Sequence, residues 1–299
     1  MSSWGVERRL EFIEFRLFWE GGVNRSDLID NFGVSVPQSS KDLTLYQERA
    51  PQNAVYDKSA RRYVAGPNFT PVFLNPDPDA YLTRLRSQNE GFVEPGLNWL
   101  ASAPEVEIAL TPRRNVRTDV LRAILTAIRE SRSVDFYYQS MNRDRPDPSW
   151  RRVTPHALGF DGMRWHARGW CHETKRFKDF LLSRILSFKD FDEAEFGTAE
   201  DVLWQETVDV IIVPHPSLSV GQKAVVAADF DMKDGQASFQ VRYAMLFYVL
   251  KRLGLLDDAK SKDPRTQHIV AQNAQELDLA MKRVSDISNK EQSSAMALR

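Results

Sequence analysis

Hydrophobic positions along this chain change period three times. Near the N-terminus they recur at helical spacing: Leu10, Ile13, Leu17 and Phe18 share one face, and Phe12, Phe15 and Trp19 widen it. Gly21-Gly22 stops that helix. Asn24 is placed to cap a second helix, "RSDLIDNF", with Leu28, Ile29 and Phe32 pointing inward. Gly33 supplies a tight turn, Val34 plugs the core, and Ser35 caps a third helix, "VPQSSKDLTLYQERA". Pro37 fits its first turn, where N–H groups lack intrahelical partners. "NAVYDKSARRYVAG" then sets apolar residues on either side of a polar tip, which predicts a β-hairpin.

Four prolines in "AGPNFTPVFLNPDPDAYL" (Pro67, Pro71, Pro76, Pro78) break the chain and place a domain end near residue 70. "EPGLNWLASAPEVEIALTPRRN" is linker-like, with a short strand expected around Val106–Leu110. A helix follows in "RTDVLRAILTAIRES", with Val120, Leu121, Ile124, Leu125 and Ile128 on one face. Short alternating segments come next: "SVDFYYQS", "RRVTPHALGF", "MRWHARGWC" and "FKDFLLSRILSF". Turn residues separate them, which predicts a small β-barrel. The remainder mixes strand and helix, as a small α+β domain would, and the tail "SDISNKEQSSAMALR" is expected to fray. The pattern therefore gives an α+β multidomain chain: residues 1–70, a linker over 71–118, a barrel over 119–192 and a C-terminal domain over 193–290.

Composition narrows the classes. One cysteine, Cys171, excludes an internal disulfide framework and argues against a zinc–thiolate site. No apolar run approaches the roughly 20 residues of a membrane span, and "MSSWGVERRLEF" lacks a secretory core, so a cytoplasmic protein is expected. Net charge is −1, but its distribution is uneven. Residues 1–70 hold nine Lys/Arg and nine Asp/Glu, whereas residues 113–190 hold 17 and 9. The basic surplus suits a middle domain that faces an anion, and equally a solvated basic surface.

Two constellations could carry function. Helix–Gly–Val–Ser–helix over residues 25–48 sets two helices at a sharp angle, so that the second enters a DNA major groove. With Ser35 at its start, the exposed positions expected to meet DNA are Gln38, Ser39, Ser40, Lys41 and Thr44, with Leu43 and Tyr46 or Leu45 in the core. Lys58, Arg61 and Arg62 of the hairpin suit a wing that grips phosphates. An ordinary three-helix bundle used for protein contacts fits the same spacing. In the middle block, alternation puts Arg164, His166 and Arg168 on one strand face, aligns Arg152, Thr154 and His156, and pairs Tyr138 with Ser140. Arg184 ends an apolar strand, where a lone charge needs a partner. Together these make a candidate anion pocket for phosphate or a nucleotide, although solvated arginines and core histidines would show the same pattern.

The run "VDFYYQSMNRDRPDPSWRRVTPHALGFDGMRWHARGWCHETKRFKDFLLSRI" resembles the WYL domain, an Sm-like barrel. The order of winged helix, linker, WYL domain and C-terminal extension resembles WYL regulators of bacterial anti-phage defence islands (the BREX and CBASS types). Trp165 of the namesake motif is kept, while His166 and Ala167 replace its Tyr and Leu. The resemblance implies a C-terminal dimerisation domain and a homodimeric repressor of a defence operon. It would bind an inverted-repeat operator, without cofactor or metal, under control of an anionic ligand such as a nucleotide or short nucleic acid. No P-loop, G-x-S-x-G or H-E-x-x-H motif supports an enzyme, and the neighbours Cys171 and His172 would point to opposite strand faces. The alternatives are an RNA- or single-strand-binding module on the barrel and a metal-free His/Arg phosphodiesterase.

Overall fold

A computed structural model describes residues 3–94, 99–109, 112, 114–143, 145–194 and 196–296. The chain forms two compact units, Met1–Thr111 and Pro112–Arg299.

The first unit is built around α1 (Ser3–Trp19). Leu10, Phe12, Ile13, Phe15 and Leu17 are almost wholly buried, while Phe18, expected inward, is 40% exposed. Burial also reaches Arg9, Glu14 and Arg16 of α1 and Glu20 just beyond its end, and each has a partner. Arg9 Nε lies 2.6 Å from Asp42 Oδ2, and Arg16 Nη2 lies 3.2 Å from Asp27 Oδ1. Glu14 accepts hydrogen bonds from Tyr46 Oη, Asn53 Nδ2 and the successive backbone N–H groups of Val72, Phe73 and Leu74. Glu20 accepts from Tyr81 Oη and the N–H groups of Ala101 and Ser102. These carboxylates satisfy loop amides that would otherwise be buried unpaired.

Around α1 stand α2 (Arg25–Phe32) and α3 (Val36–Arg49). Asn24 and Asp27 form a reciprocal capping box on α2, Gly33 ends it at φ 62°, and Ser35 Oγ accepts the Gln38 N–H at the start of α3. The hairpin is β1 (Ala54–Asp57) with β2 (Arg62–Ala65), paired Ala54 to Ala65 through Asp57 to Arg62. The core does not stop at residue 70. Helix α4 (Pro78–Asn89) follows, and Leu85, Trp99 and Leu100 join the same buried cluster. Trp99 meets Phe12 and Phe15 edge-on, and Tyr81 stacks on Trp19 at 4.8 Å. Residues 104–109 form no strand, and Leu110 lies outside the described residues.

The second unit opens with α5 (Thr118–Arg129), which buries Val120, Ala123, Ile124 and Ala127. It packs on a five-stranded antiparallel sheet of β3 (Arg132–Tyr138), β4 (Ser149–Phe160), β5 (Trp165–Cys171), β6 (Arg176–Leu181) and β7 (Ile185–Glu193). Spatial order is β6-β5-β4-β3-β7. This corrects the expected barrel: no ladder joins β6 to β7 among the described residues, so the sheet is open. A single 3₁₀ turn, Leu182–Arg184, separates those strands where a hairpin would have paired them. Tyr138 Oη accepts the Leu181 N–H at 3.2 Å and draws one end of the sheet inward. A bulge between Pro155 and Ala157 bends β4 beside Gly169, where a Cβ would sit 2.5 Å from the Thr154 carbonyl oxygen.

A short helix, α6 (Val202–Gln205), leads into β8 (Thr207–Pro214), α7 (Val220–Asp229), β9 (Ala237–Arg242), α8 (Tyr243–Arg252), β10 (Ile269–Ala271) and α9 (Ala274–Met296). The sheet order is β10-β8-β9, and Val208, Val210 and Ile212 alternate toward a core shared with Leu246, Leu250 and Leu277. The tail expected to fray stays helical to Met296, in a stretch without Gly or Pro. No helix among the described residues is long and apolar enough to cross a membrane.

Candidate nucleic-acid interface and ligand site

The first turns of α3 separate the expected DNA contacts. Ser35, Lys41 and Thr44 are exposed and Ser40 is half-buried. Lys41 has no ion-pair partner among the described residues, so its charge is available to a phosphate. Gln38 is half-buried and its Nε2 donates to Asp42 Oδ1 at 2.9 Å, the carboxylate already held by Arg9. Ser39 corrects the expectation: it is fully buried and its hydroxyl donates to the Val36 carbonyl, because the spacing that buries Leu43 and Tyr46 turns position 39 inward too.

The hairpin tip is held by Asp57, whose Oδ1 accepts the N–H groups of Ser59 and Ala60. Lys58 and Arg61 are exposed there without ion-pair partners among the described residues. Arg62 points back, and this is the second correction. Its Nη2 donates to the Glu20 carbonyl at 3.0 Å, and it lies over Gly22, where a Cβ would meet Arg62 Nε at 2.3 Å. Arg62 locks the wing to the end of α1 rather than reaching for phosphate.

In the five-stranded sheet, the expected pocket residues do converge, but on carboxylates. Buried Arg168 donates through Nε and Nη2 to Asp201 at 2.7 and 3.0 Å, and through Nη1 to Asp179 at 3.3 Å. His156 Nε2 lies 2.9 Å from the same Asp201, which also caps α6. Asp161 takes Arg164 Nε at 2.7 Å and His166 Nε2 at 3.1 Å. Tyr248 of α8 donates to Asp179 and its ring sits 5.1 Å from that of His166. Burial alone would raise Asp161 and Asp201, but the hydrogen bonds from Arg164 and His166, and from His156 and Arg168, outweigh it and hold both carboxyls below their ordinary range. This network ties the sheet to α6 and α8.

The other expected residues scatter. Arg152 pairs with Asp135 and Asp192 on an exposed face. Tyr138 packs its ring against Phe136 and Phe180, and Ser140 Oγ accepts the Asn142 N–H in a turn. Arg184 is half-buried with no side-chain partner among the described residues.

Sequence reasoning missed a cationic cluster on the sheet's α5-facing side. Lys178 shares that face of β6 with buried Phe180, and Gly169 is its neighbour on β5. It has no ion-pair partner among the described residues. Burial, then the nearby Arg176, Arg151 and Arg145, push Lys178 down to about 8. Arg151 is 5% exposed and pairs with Glu173, which also takes Arg145 at 2.7 Å. The signal was the alternation Arg176, Lys178, Phe180, which puts two cations in line with a core residue.

Three domain families match in order: the BrxR transcriptional regulator winged helix-turn-helix domain over residues 5–87, the WYL domain over 119–190, and the BrxR C-terminal dimerization domain over 207–277. They define the class, a winged-helix regulator with a WYL domain. Relatives narrow it. The DNA-binding transcriptional repressor CapW of Stenotrophomonas maltophilia is 41% identical over 275 residues, 92% of this chain and 91% of that protein. CapW of Escherichia coli (strain KTE188) and of Pseudomonas aeruginosa are 39% and 38% identical, each over 92% of both chains. The chain belongs to the CapW family. Among solved structures, proteasome accessory factor B/C of Arthrobacter aurescens aligns with 92% of this chain and 45% of its own, at 16% identity and a TM-score of 0.30, a likeness too weak to bear on function.

Proposed function

We propose that this chain is a homodimeric, DNA-binding transcriptional repressor working in the cytoplasm, with the N-terminal part of α3 and the wing as its DNA contacts. The observation that carries the reading is the geometry of that unit: a capped helix-turn-helix whose second helix exposes Lys41 and Thr44 beside the half-buried Ser40, next to a wing tip exposing Lys58 and Arg61. Family membership supplies the sign, since the relatives are named repressors. A CBASS-type defence operon is the expected target. The unit carries no basic surplus, so affinity leans on two linked heads and a few placed contacts. The buried histidines are engaged by Asp161 and Asp201, which removes the support for a phosphodiesterase.

The finer part of the reading is an anionic effector at Lys178, Arg151 and Arg176 in place of the carboxylate-paired set. An unpartnered, half-buried lysine beside arginines is electrostatically costly until an anion arrives. Occupation shifts operator affinity by binding one dimer geometry better than another. The test is fluorescence anisotropy of the purified chain on DNA upstream of its own gene, with pyrophosphate, a mononucleotide and a short single strand as competitors. Operator binding that no anion alters, or that Lys178→Met leaves equally responsive, refutes the effector site without touching the repressor reading.

A further inference from the structure

The first two turns of α3 hold few side chains able to read a base edge. Val36 and Pro37 are exposed and carry no side-chain hydrogen-bonding group. Ser40 Oγ donates to the Val36 carbonyl and Thr44 Oγ1 to the Ser40 carbonyl, so both hydroxyl protons are spent on the helix itself. Ser35 Oγ accepts the Gln38 N–H as the cap, and Lys41 offers donors alone. Gln38 combines an amide acceptor with amide donors.

Its orientation is fixed from the buried side. Gln38 and Asp42 lie four residues apart on the helix, and Gln38 Nε2 donates to Asp42 Oδ1 at 2.9 Å. Asp42 is 2% exposed and accepts Arg9 Nε and Nη2 at 2.6 and 3.1 Å. Arg9 is held in turn, since its Nη1 donates to the Gly5 carbonyl at 2.9 Å. A carboxylate clamped by a guanidinium only accepts, so the Gln38 atom facing it must be the amide nitrogen. One N–H is thereby spent. Oε1 and the second N–H remain, the acceptor–donor pair that matches N6 and N7 of adenine.

We propose that Gln38 reads an adenine in each half-site and that Asp42, buried behind it, is the positioning residue that sets this choice. The inference rests on the DNA-contact reading of α3 and narrows it to one base and the ion pair behind it. Tethering also removes rotamer freedom from the glutamine before DNA arrives. In Asp42→Asn the one remaining oxygen is claimed by Arg9 Nε, and the new amide nitrogen faces Gln38. The Gln38 amide must then reverse and present two N–H donors, which suit the O6 and N7 acceptors of guanine.

The test is selection of the full chain on libraries of the DNA upstream of its gene, randomised across the protected half-sites, with melting temperature as the check on folding. Wild type is expected to favour adenine at one position of each half-site by roughly 10-fold or more. Gln38→Ala should flatten that position alone, and Asp42→Asn should move its preference to guanine. A folded Asp42→Asn variant that keeps adenine, or that weakens binding to all four bases alike as a merely structural role would, overturns the proposal. Should that variant not fold, Gln38→Glu, which only accepts, should turn the preference to cytosine, whose N4 donates; adenine retained there overturns it equally. A Gln38→Ala variant with every preference intact removes Gln38 as the reader while operator binding stands. Wild type that binds no upstream DNA overturns the DNA-contact reading itself.

Discussion

Replacing Arg168 by Met asks whether this arginine holds the sheet together or holds a ligand. Its side chain is 5% exposed and makes three hydrogen bonds to two carboxylates, of which Asp201 is 1% exposed and Asp179 17%. Met keeps the stem volume and removes the charge, leaving Asp201 with His156 alone and Asp179 with Tyr248. Removing one partner of a buried ion pair typically costs about 3–5 kcal/mol, and the remaining partners place this case near the lower end. For a unit of this size, that is a fall of roughly 6–12 °C in melting temperature. Pairing the change with Asp201→Leu should recover about 2 kcal/mol of the summed losses, since the two charges depend on each other. The α6 cap, worth about 1 kcal/mol, stays lost. Calorimetry and urea unfolding of the full chain, followed by tryptophan fluorescence, read these values. A single variant that melts within 2 °C of wild type, yet loses its response to anions, would refute the structural role and return Arg168 to the ligand site.

Three further outcomes follow from the same geometry. Lys178 has its folded pKa lowered to about 8, so its charge, and with it affinity for pyrophosphate, should decline as pH rises through 8, whereas Lys178→Arg should keep binding flat to pH 9 by isothermal titration. The carboxyls of Asp161 and Asp201 are depressed on folding, so their stabilisation is complete above the ordinary carboxyl range near pH 4 and is lost below it. Chemical unfolding between pH 7 and 3 should therefore show the second unit weakening only below about pH 4, and a uniform decline from neutrality would contradict the network. Glu14→Gln sets an amide against five donors and should destabilise the first unit by about 3 kcal/mol, since bonds to a charged acceptor are roughly twice as strong as neutral ones; a loss below about 0.5 kcal/mol, the size of an ordinary surface change, would show that the carboxylate is not the anchor.

Local signals read the N-terminal elements well because they are chemically redundant there. Asn24, Gly33 and Ser35 each sit where helix-end geometry requires them, and the polar tip at Asp57–Arg61 announces its hairpin. What failed were questions of depth and partnership. Ser39 and Arg62 are polar, and nothing local distinguishes an inward serine or a folded-back arginine from exposed ones. The pocket arginines failed for a more instructive reason. Alternation places Arg168 and His166 on one face but does not report what faces them. Hairpin counting could have supplied one partner, since pairing Cys171 with Arg176 brings Arg168 opposite Asp179. Asp201 could not have been found this way, because it arrives from outside the sheet, 33 residues on. The open sheet was likewise hidden: strand number and spacing are the same whether the edges close or not, and a single turn at Leu182–Arg184 decides it.

That two copies of a helix-turn-helix unit read one operator is best checked by a hydroxyl-radical footprint on the DNA upstream of the gene. Protection is expected over two half-sites in inverted repeat, centred about 10–10.5 base pairs apart or an integral multiple of that. Ser40→Ala with Lys41→Ala, at a half-buried and an exposed position of α3, should abolish both patches together while the melting temperature stays nearly unchanged. A single protected patch, or protection that survives the double substitution, would contradict it.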